Sequence, residues 1–284
     1  MERLWLGFET ISGRNEQIVY ACVRGFGDPR TGESPYAHWP SLDAAAQSFG
    51  GLVYANDGLV TPAIADIFPG TLAALGLVSA IHESKTSGKG QFLDVSMYDA
   101  MLAFQKSAVA QYSFTGKPNP SGLQKAMTLY PFDLFPAKDG QVSIAVGQPH
   151  HWDLLCAAME RGDMINDDRS ATNTARLKNV EWVEEQICAW TSQLTRAEIM
   201  AKLDGSLPAG PVQNMSDIFQ DEHVAARAML DKCNPGGDNP DISLAASPIK
   251  FSRSKTSLYQ SPPTLGEHNK EVLSEFGIDL PEDF

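Results

Sequence analysis

Pro62-Ala-Ile-Ala-Asp-Ile-Phe-Pro-Gly-Thr-Leu-Ala-Ala-Leu-Gly-Leu-Val-Ser-Ala-Ile81 runs for 20 residues with one ionisable side chain, Asp66. Every other position is apolar or small, so the segment reads as protein interior, and a carboxylate in that company has to be accounted for. An unpartnered buried charge costs several kcal/mol. Such a carboxylate is held by hydrogen bonds, raised in pKa, or kept for chemistry. The stretch has about the length a bilayer requires. Two prolines, Gly70 and Asp66 crowd its front, however, and leave about 13 residues from Pro69 onward, the length of a core helix. Proline suits the first position of a helix. A helix from Pro69 to about Lys85 is therefore predicted, with Asp66 just ahead of its N-terminus.

Outward from that helix, the chain alternates strand and helix signals. Gln17-Ile-Val-Tyr-Ala-Cys-Val-Arg24 is rich in β-branched and aromatic residues and is closed by Gly25-Phe26-Gly27, the signature of a buried strand ending in a glycine turn. On the other side, the turn Thr86-Ser-Gly-Lys-Gly-Gln91 leads to a strand, Phe92–Ser96, and a helix from Met97 to Tyr112. Strand, helix and strand in that order place the chain in the α/β class. Ligands of such folds gather where strands end in loops.

After Gly116 the texture changes. Lys117-Pro-Asn-Pro-Ser-Gly122 reads as a linker into a second, smaller α+β domain. That domain has strand candidates at Leu129–Phe135 and Gln141–Val146 around the turn Ala137-Lys-Asp-Gly140. Leu177, Val180, Val183, Ile187, Trp190 and Leu194 then recur at helical spacing and read as a core stripe. Pro208–Gln213 reads as a loop with a short strand, Ser216 and Asp221 as helix caps, Asn234–Pro240 as a turn, and Glu267–Phe276 as a last helix. The expected domains are 1–116, with 222–284 returning to it, and 117–221.

The 284 residues carry a net charge of -13, and no run of Lys and Arg accumulates. That balance disfavours nucleic acid or an anionic membrane as partner and favours small molecules. Cys22, Cys156, Cys188 and Cys233 form no ligand pattern, so neither a disulfide framework nor a metal is expected. Met1–Phe8 lacks the basic and apolar regions of an export signal, which makes the cytoplasm the expected compartment. Phosphate-loop, nucleophile-elbow, zinc-protease and dinucleotide-binding motifs are absent. His150-His151 reads as the polar start of a helix.

Seven blocks in order resemble the family III CoA-transferases: Val23–Gly27, Ser41–Gln47, Ile64–Gly70, Thr86–Ala100, Phe135–Gly140, Asp221–Met229 and Pro262–His268. The resemblance implies a Rossmann-like large domain, a smaller α+β domain and an interlocked homodimer. It implies movement of CoA between an acyl-CoA and a carboxylic acid, with CoA bound as substrate and no metal. The residue matching the family's nucleophile is Asp66, whose carboxylate attacks the thioester to form a mixed anhydride and release CoA thiolate, which then returns. Arg24 matches a position near the CoA phosphates or pantetheine, with Gly25, Phe26 and Gly27 as the adjoining turn. Backbone N–H groups around Pro69-Gly70 and the glycine turn are candidate oxyanion donors. Racemases of the same fold carry a histidine where this chain has Leu42, with His38 four residues away, so transfer is favoured over racemisation. Arg30 is a candidate for the second carboxylate of a dicarboxylic acyl group.

Full-length members begin with a further N-terminal region that grips CoA, and Met1–Phe8 resembles an internal helix of that family. The expectation is a chain lacking that region: an enzyme as it stands, a non-catalytic fragment, or one subunit of a split CoA-transferase whose N-terminal half is separately encoded.

Overall fold

What the apolar segment packs on is a parallel pair of strands. In a computed structural model, which describes residues 1–118, 121, 128–235, 240–256 and 261–278, the chain forms two compact units, Met1–Thr128 and Leu129–Phe284. In the first, α1 (Phe8–Ser12) precedes β1 (Tyr20–Arg24), and α2 (Asp43–Phe49), α3 (Leu52–Asn56) and α4 (Ile64–Ser87) connect it to β2 (Phe92–Ser96). β1 and β2 pair in parallel from Tyr20↔Phe92 to Arg24↔Ser96. A parallel pair needs a long crossover, and α4 supplies it by packing on both strands and on α2.

Its buried positions are Ala65, Pro69, Ala73, Ala80 and Ser84, small residues about one or two turns apart that let helix and sheet approach closely. The Ser84 hydroxyl donates to the Gln17 carbonyl (3.0 Å). Phe8, Tyr20 and Phe92 stack beside the pair.

Helix α4 corrects the expected start by five residues. It begins at Ile64, so Pro69 lies inside it and Asp66 sits in its first turn. Near a helix start few N–H groups have intrahelical work to do, so the missing N–H of Pro69 leaves only the Ala65 carbonyl without its partner four residues on. The continuous helix has 24 residues and is, by length and composition, long and apolar enough to cross a bilayer. One flank docks on the strands and α2, while Ile67, Leu75 and Val78 are exposed. The expected helix from Met97 to Tyr112 is two: α5 (Met97–Phe104) and α6 (Lys106–Thr115), separated at Gln105, whose side-chain amide donates to the Gly50 carbonyl.

The second unit is built on β3 (Phe132–Ala137), β4 (Gly140–Ala145) and α7 (Pro149–Ala158), followed by α8 (Asn173–Lys178), α9 (Val180–Thr191), α10 (Arg196–Leu203), β5 (Ala209–Pro211), α11 (Met215–Phe219), α12 (Glu222–Ala226), β6 (Leu230–Cys233), β7 (Ile242–Ala245) and α13 (Asn269–Glu275). Strands β3, β4 and β5 form an antiparallel sheet, and β6 pairs antiparallel with β7. Val142 and Ile144 point inward and alternate with exposed Gln141 and Ser143. They meet Trp152, Leu155, Val183, Ile187, Ile199 and Leu203 in one core.

The stripe from Leu177 to Leu194 packs in or against this core, as expected. Arg176, nearly fully buried, donates from Nε to the Tyr130 carbonyl (2.6 Å) and from Nη1 to the Ser170 carbonyl (2.8 Å), with its guanidinium over the Trp152 ring. Asp221 caps α12 through the N–H groups of His223 and Val224. The cap of α11 is Asn214, not Ser216, because its side chain reaches two N–H groups in a reciprocal capping box with Asp217. His150 and His151 lie in the first turn of α7. The linker Lys117–Gly122 and the turn Asn234–Pro240 fall partly outside the described residues.

Candidate functional site

Asp66 is exposed, contrary to what its sequence neighbours imply. Alternate faces of the helix start explain this: Ala65 is fully buried against Ala46, Leu52, Met97 and Met101, which turns the next side chain to solvent. Among the described residues no side-chain hydrogen bond holds the Asp66 carboxylate, while its backbone N–H donates to the Ala63 carbonyl (3.1 Å).

A carboxylate in a first turn often caps the helix. Here that task falls to another residue. The N-cap, Ala63, has no side chain that can accept, and the Ala65 N–H donates to Oδ1 of Asp43 on α2 (2.9 Å). Asp43 Oδ2 in turn accepts from Gln47 Nε2 (2.7 Å). Gln47, fully buried, also donates to the Val60 carbonyl and accepts the Val60 N–H, both at 2.9 Å. Asp43 and Gln47 were missed as site residues by sequence reasoning. The signal was present in the block Ser41–Gln47, where an acid and an amide stand four residues apart on one helical face.

The glycine turn after β1 forms as expected. Gly25 is required by a close approach: a Cβ there would lie 2.3 Å from the Ser41 Cβ. Gly27 has φ +82°, a backbone state that favours glycine. The Phe26 side chain is buried against Tyr36, Phe49 and Tyr98, so it anchors the turn from beneath. Arg24, half-exposed, donates from Nη1 to Asp28 Oδ2 (2.7 Å). Leu42 is exposed and brings no imidazole to α2, and His38 is likewise exposed. Gly70 lies within the α4 hydrogen-bond ladder and Pro69 has no N–H. That pair therefore offers no free oxyanion donor, which corrects the expectation.

Arg30 is also corrected. Its Nε and Nη2 bind the two oxygens of Glu9 (both 2.8 Å), Nη1 binds Asp28 (2.9 and 3.1 Å), and Nη2 reaches Glu2 (3.1 Å). Its five N–H donors are thus spent on three carboxylates of its own chain. Glu2 is held at about 2 by its own backbone N–H and by Arg30, and Glu9 is lowered mainly by the Arg30 hydrogen bonds. Burial pushes Asp28 up, yet the Arg30 N–H groups and the charges of Arg30 and Arg24 outweigh it and leave its pKa lowered.

Depressed folded-state pKa values stabilise above the ordinary carboxylate range of about 4 and lose that contribution as pH falls. Wild type should therefore lose thermal stability from pH ~4.5 towards ~2, and Arg30→Ala should flatten that loss in a melting series. The same variant should change any activity on dicarboxylic and on monocarboxylic acyl groups by the same factor within about twofold, because a guanidinium already neutralised by its neighbours has little left for substrate. A selective loss on dicarboxylates would restore Arg30 to the site.

Cys22, Cys156 and Cys233 are free thiols, and Cys156 is pushed up to about 12 by burial. Among the described residues no three His, Cys, Asp or Glu side chains gather as a metal site requires. A cavity of about 750 Å³ in the second unit is lined by Arg196 with Asp139, Asp217, Asp221 and Glu222.

Residues 1–269 match the family described as CoA-transferase family III. The chain belongs to that family. A succinyl-CoA:mesaconate CoA-transferase of Haloarcula hispanica is 38% identical over 98% of this chain and 71% of its own length. A succinate–glutarate CoA-transferase of Agrobacterium fabrum is 28% identical over 95% of this chain and 68% of its own. A CaiB/BaiF family protein from Brucella suis has the same fold, with a TM-score of 0.80 at 27% identity over 96% of this chain and 72% of that one. Substrates of a family III CoA-transferase are anions. Four carboxylates against one arginine make the cavity beside Arg196 a poor host for them.

Proposed function

We propose that this family III enzyme moves CoA from succinyl-CoA to a second small dicarboxylic acid, with Asp66 as nucleophile. An Asp66 oxygen attacks the thioester carbonyl. The C–S bond breaks, and CoA leaves as thiolate from a mixed anhydride of Asp66 and succinate. The thiolate attacks the aspartyl carbonyl, freeing succinate and leaving CoA on Asp66 as a thioester. The acceptor carboxylate attacks that carbonyl and releases the thiolate again. Attack of the thiolate on the acceptor's side of the new anhydride yields acceptor-CoA and restores Asp66. Each step is an acyl substitution in which atoms and charge balance.

The observation that carries this reading is that Asp43, not Asp66, caps α4, so Asp66 presents an ionisable group that the fold itself does not use. The relatives from Haloarcula and Agrobacterium, both named for dicarboxylic acids, support the substrate class. An exposed carboxylate is a weak nucleophile because water solvates it. The bound acyl group and pantetheine arm supply the desolvation in this scheme. Arg24 meets the CoA phosphates or pantetheine with the donors Asp28 leaves to it, beside the turn formed by Gly25, Phe26 and Gly27. A homodimer, a Rossmann-like large domain and a cytoplasmic setting complete the proposal.

The test is trapping. Chain incubated with succinyl-CoA and hydroxylamine is digested and analysed by peptide mass spectrometry. A hydroxamate at Asp66, absent from Asp66→Asn, is expected. Turnover of succinyl-CoA with no modified Asp66 would overturn the assignment.

A further inference from the structure

We infer that Asp43 and Gln47 are positioning residues that fix the Asp66 backbone for attack, an inference that rests on Asp66 being the nucleophile. The first turn of a helix leaves N–H groups without intrahelical partners, and an unmade bond there lets the turn fray. In α4 the residue immediately before Asp66 has its N–H held by Asp43 at 2.9 Å, and its methyl is buried. Five residues earlier in that segment, Val60 is gripped on both its N–H and its C=O by the Gln47 amide. The segment leading into Asp66 is thus clamped at both ends by two side chains one turn apart on α2, which are themselves joined at 2.7 Å.

The Gln47 amide has no freedom in this arrangement. Its oxygen faces the Val60 N–H, and its two N–H donors face the Val60 carbonyl and Asp43, so a flip would set donor against donor in a fully buried site. The Asp66 side chain itself remains exposed. The result is a rigid backbone beneath an unencumbered carboxylate, the combination a nucleophile needs to meet a carbonyl carbon at attack distance. Displacement of a reacting group by about 1 Å can cost on the order of 100-fold in rate.

The test is single-turnover formation of the trapped Asp66 acyl group from succinyl-CoA with hydroxylamine, measured on folded protein well below each variant's melting point. Asp43→Ala should acylate about 100-fold more slowly than wild type, with half-saturating succinyl-CoA changed less than about twofold. Asp43→Asn keeps an acceptor for the Ala65 N–H but turns a donor on Gln47, so it should also slow acylation. Gln47→Leu fills similar space but leaves both Val60 groups and Asp43 without their partner, so it too should slow acylation.

A residue serving stability alone would shift the melting point and leave the rate per folded molecule unchanged. Should Asp43→Ala fail to fold, Asp43→Asn carries the same comparison. Acylation within about twofold of wild type in the Asp43 variants overturns the positioning role while leaving Asp66 as nucleophile. A wild-type chain that turns over succinyl-CoA without labelling Asp66 overturns both.

Discussion

Asp66→Asn is expected to lower kcat/KM by about 10⁴-fold or more while moving the melting temperature by less than about 2 °C. The two halves of that expectation have separate causes. Asparagine matches aspartate in shape, but its neutral amide cannot form the anhydride, so covalent catalysis is lost rather than weakened. Stability is spared because the Asp66 carboxylate is exposed and makes no side-chain hydrogen bond among the described residues, and because the bond that caps α4 belongs to Asp43. Steady-state kinetics and a melting curve on one preparation decide the matter. A variant retaining more than about a tenth of wild-type kcat/KM would mean that the carboxylate is an ordinary first-turn acid.

Trp152→Ala should destabilise the protein by about 4 kcal/mol, the range for removing a buried tryptophan from a packed core. Trp152 is 1% exposed, sits among Leu155, Met164 and Ile187, and donates its indole N–H to the Met164 carbonyl (3.2 Å). Its ring also faces the Arg176 guanidinium, 4.8 Å from the centroid. That cation is buried, and burial lowers its pKa, so removing the ring adds an empty volume beside a charge already poor in solvation. Trp152→Phe keeps most of the volume and should cost about 1–2 kcal/mol, largely for the lost indole donor. Urea titrations with unchanged m-value check both figures. A cost below about 1 kcal/mol for Trp152→Ala would show that the core collapses onto the cavity.

Much of the architecture is legible in the sequence. The strand Phe92–Ser96 emerges with the bounds its β-branched and aromatic residues predict. The stripe from Leu177 to Leu194 packs as core, because helical spacing reports a buried face wherever the opposite face is polar. Where the expectation failed, distance along the chain misled. Pro69 looked like a helix start because proline suits that place, but Ala65 is drawn into the core by α2 and α5, and this extends the helix back to Ile64. Arg30 looked free because its three carboxylate partners lie 2, 21 and 28 residues away, and nothing local announces Glu9 or Glu2.

The sequence by itself determined the class of fold, the family, and the one carboxylate set in an apolar stretch, because periodicity, turn residues and ordered motifs are written locally. Only the tertiary structure decided what that carboxylate is free to do. Its exposure follows from the burial of Ala65 beside it, and its freedom from capping follows from a hydrogen bond across 22 residues. Such bonds depend on which helices meet in space, and chain order does not record that.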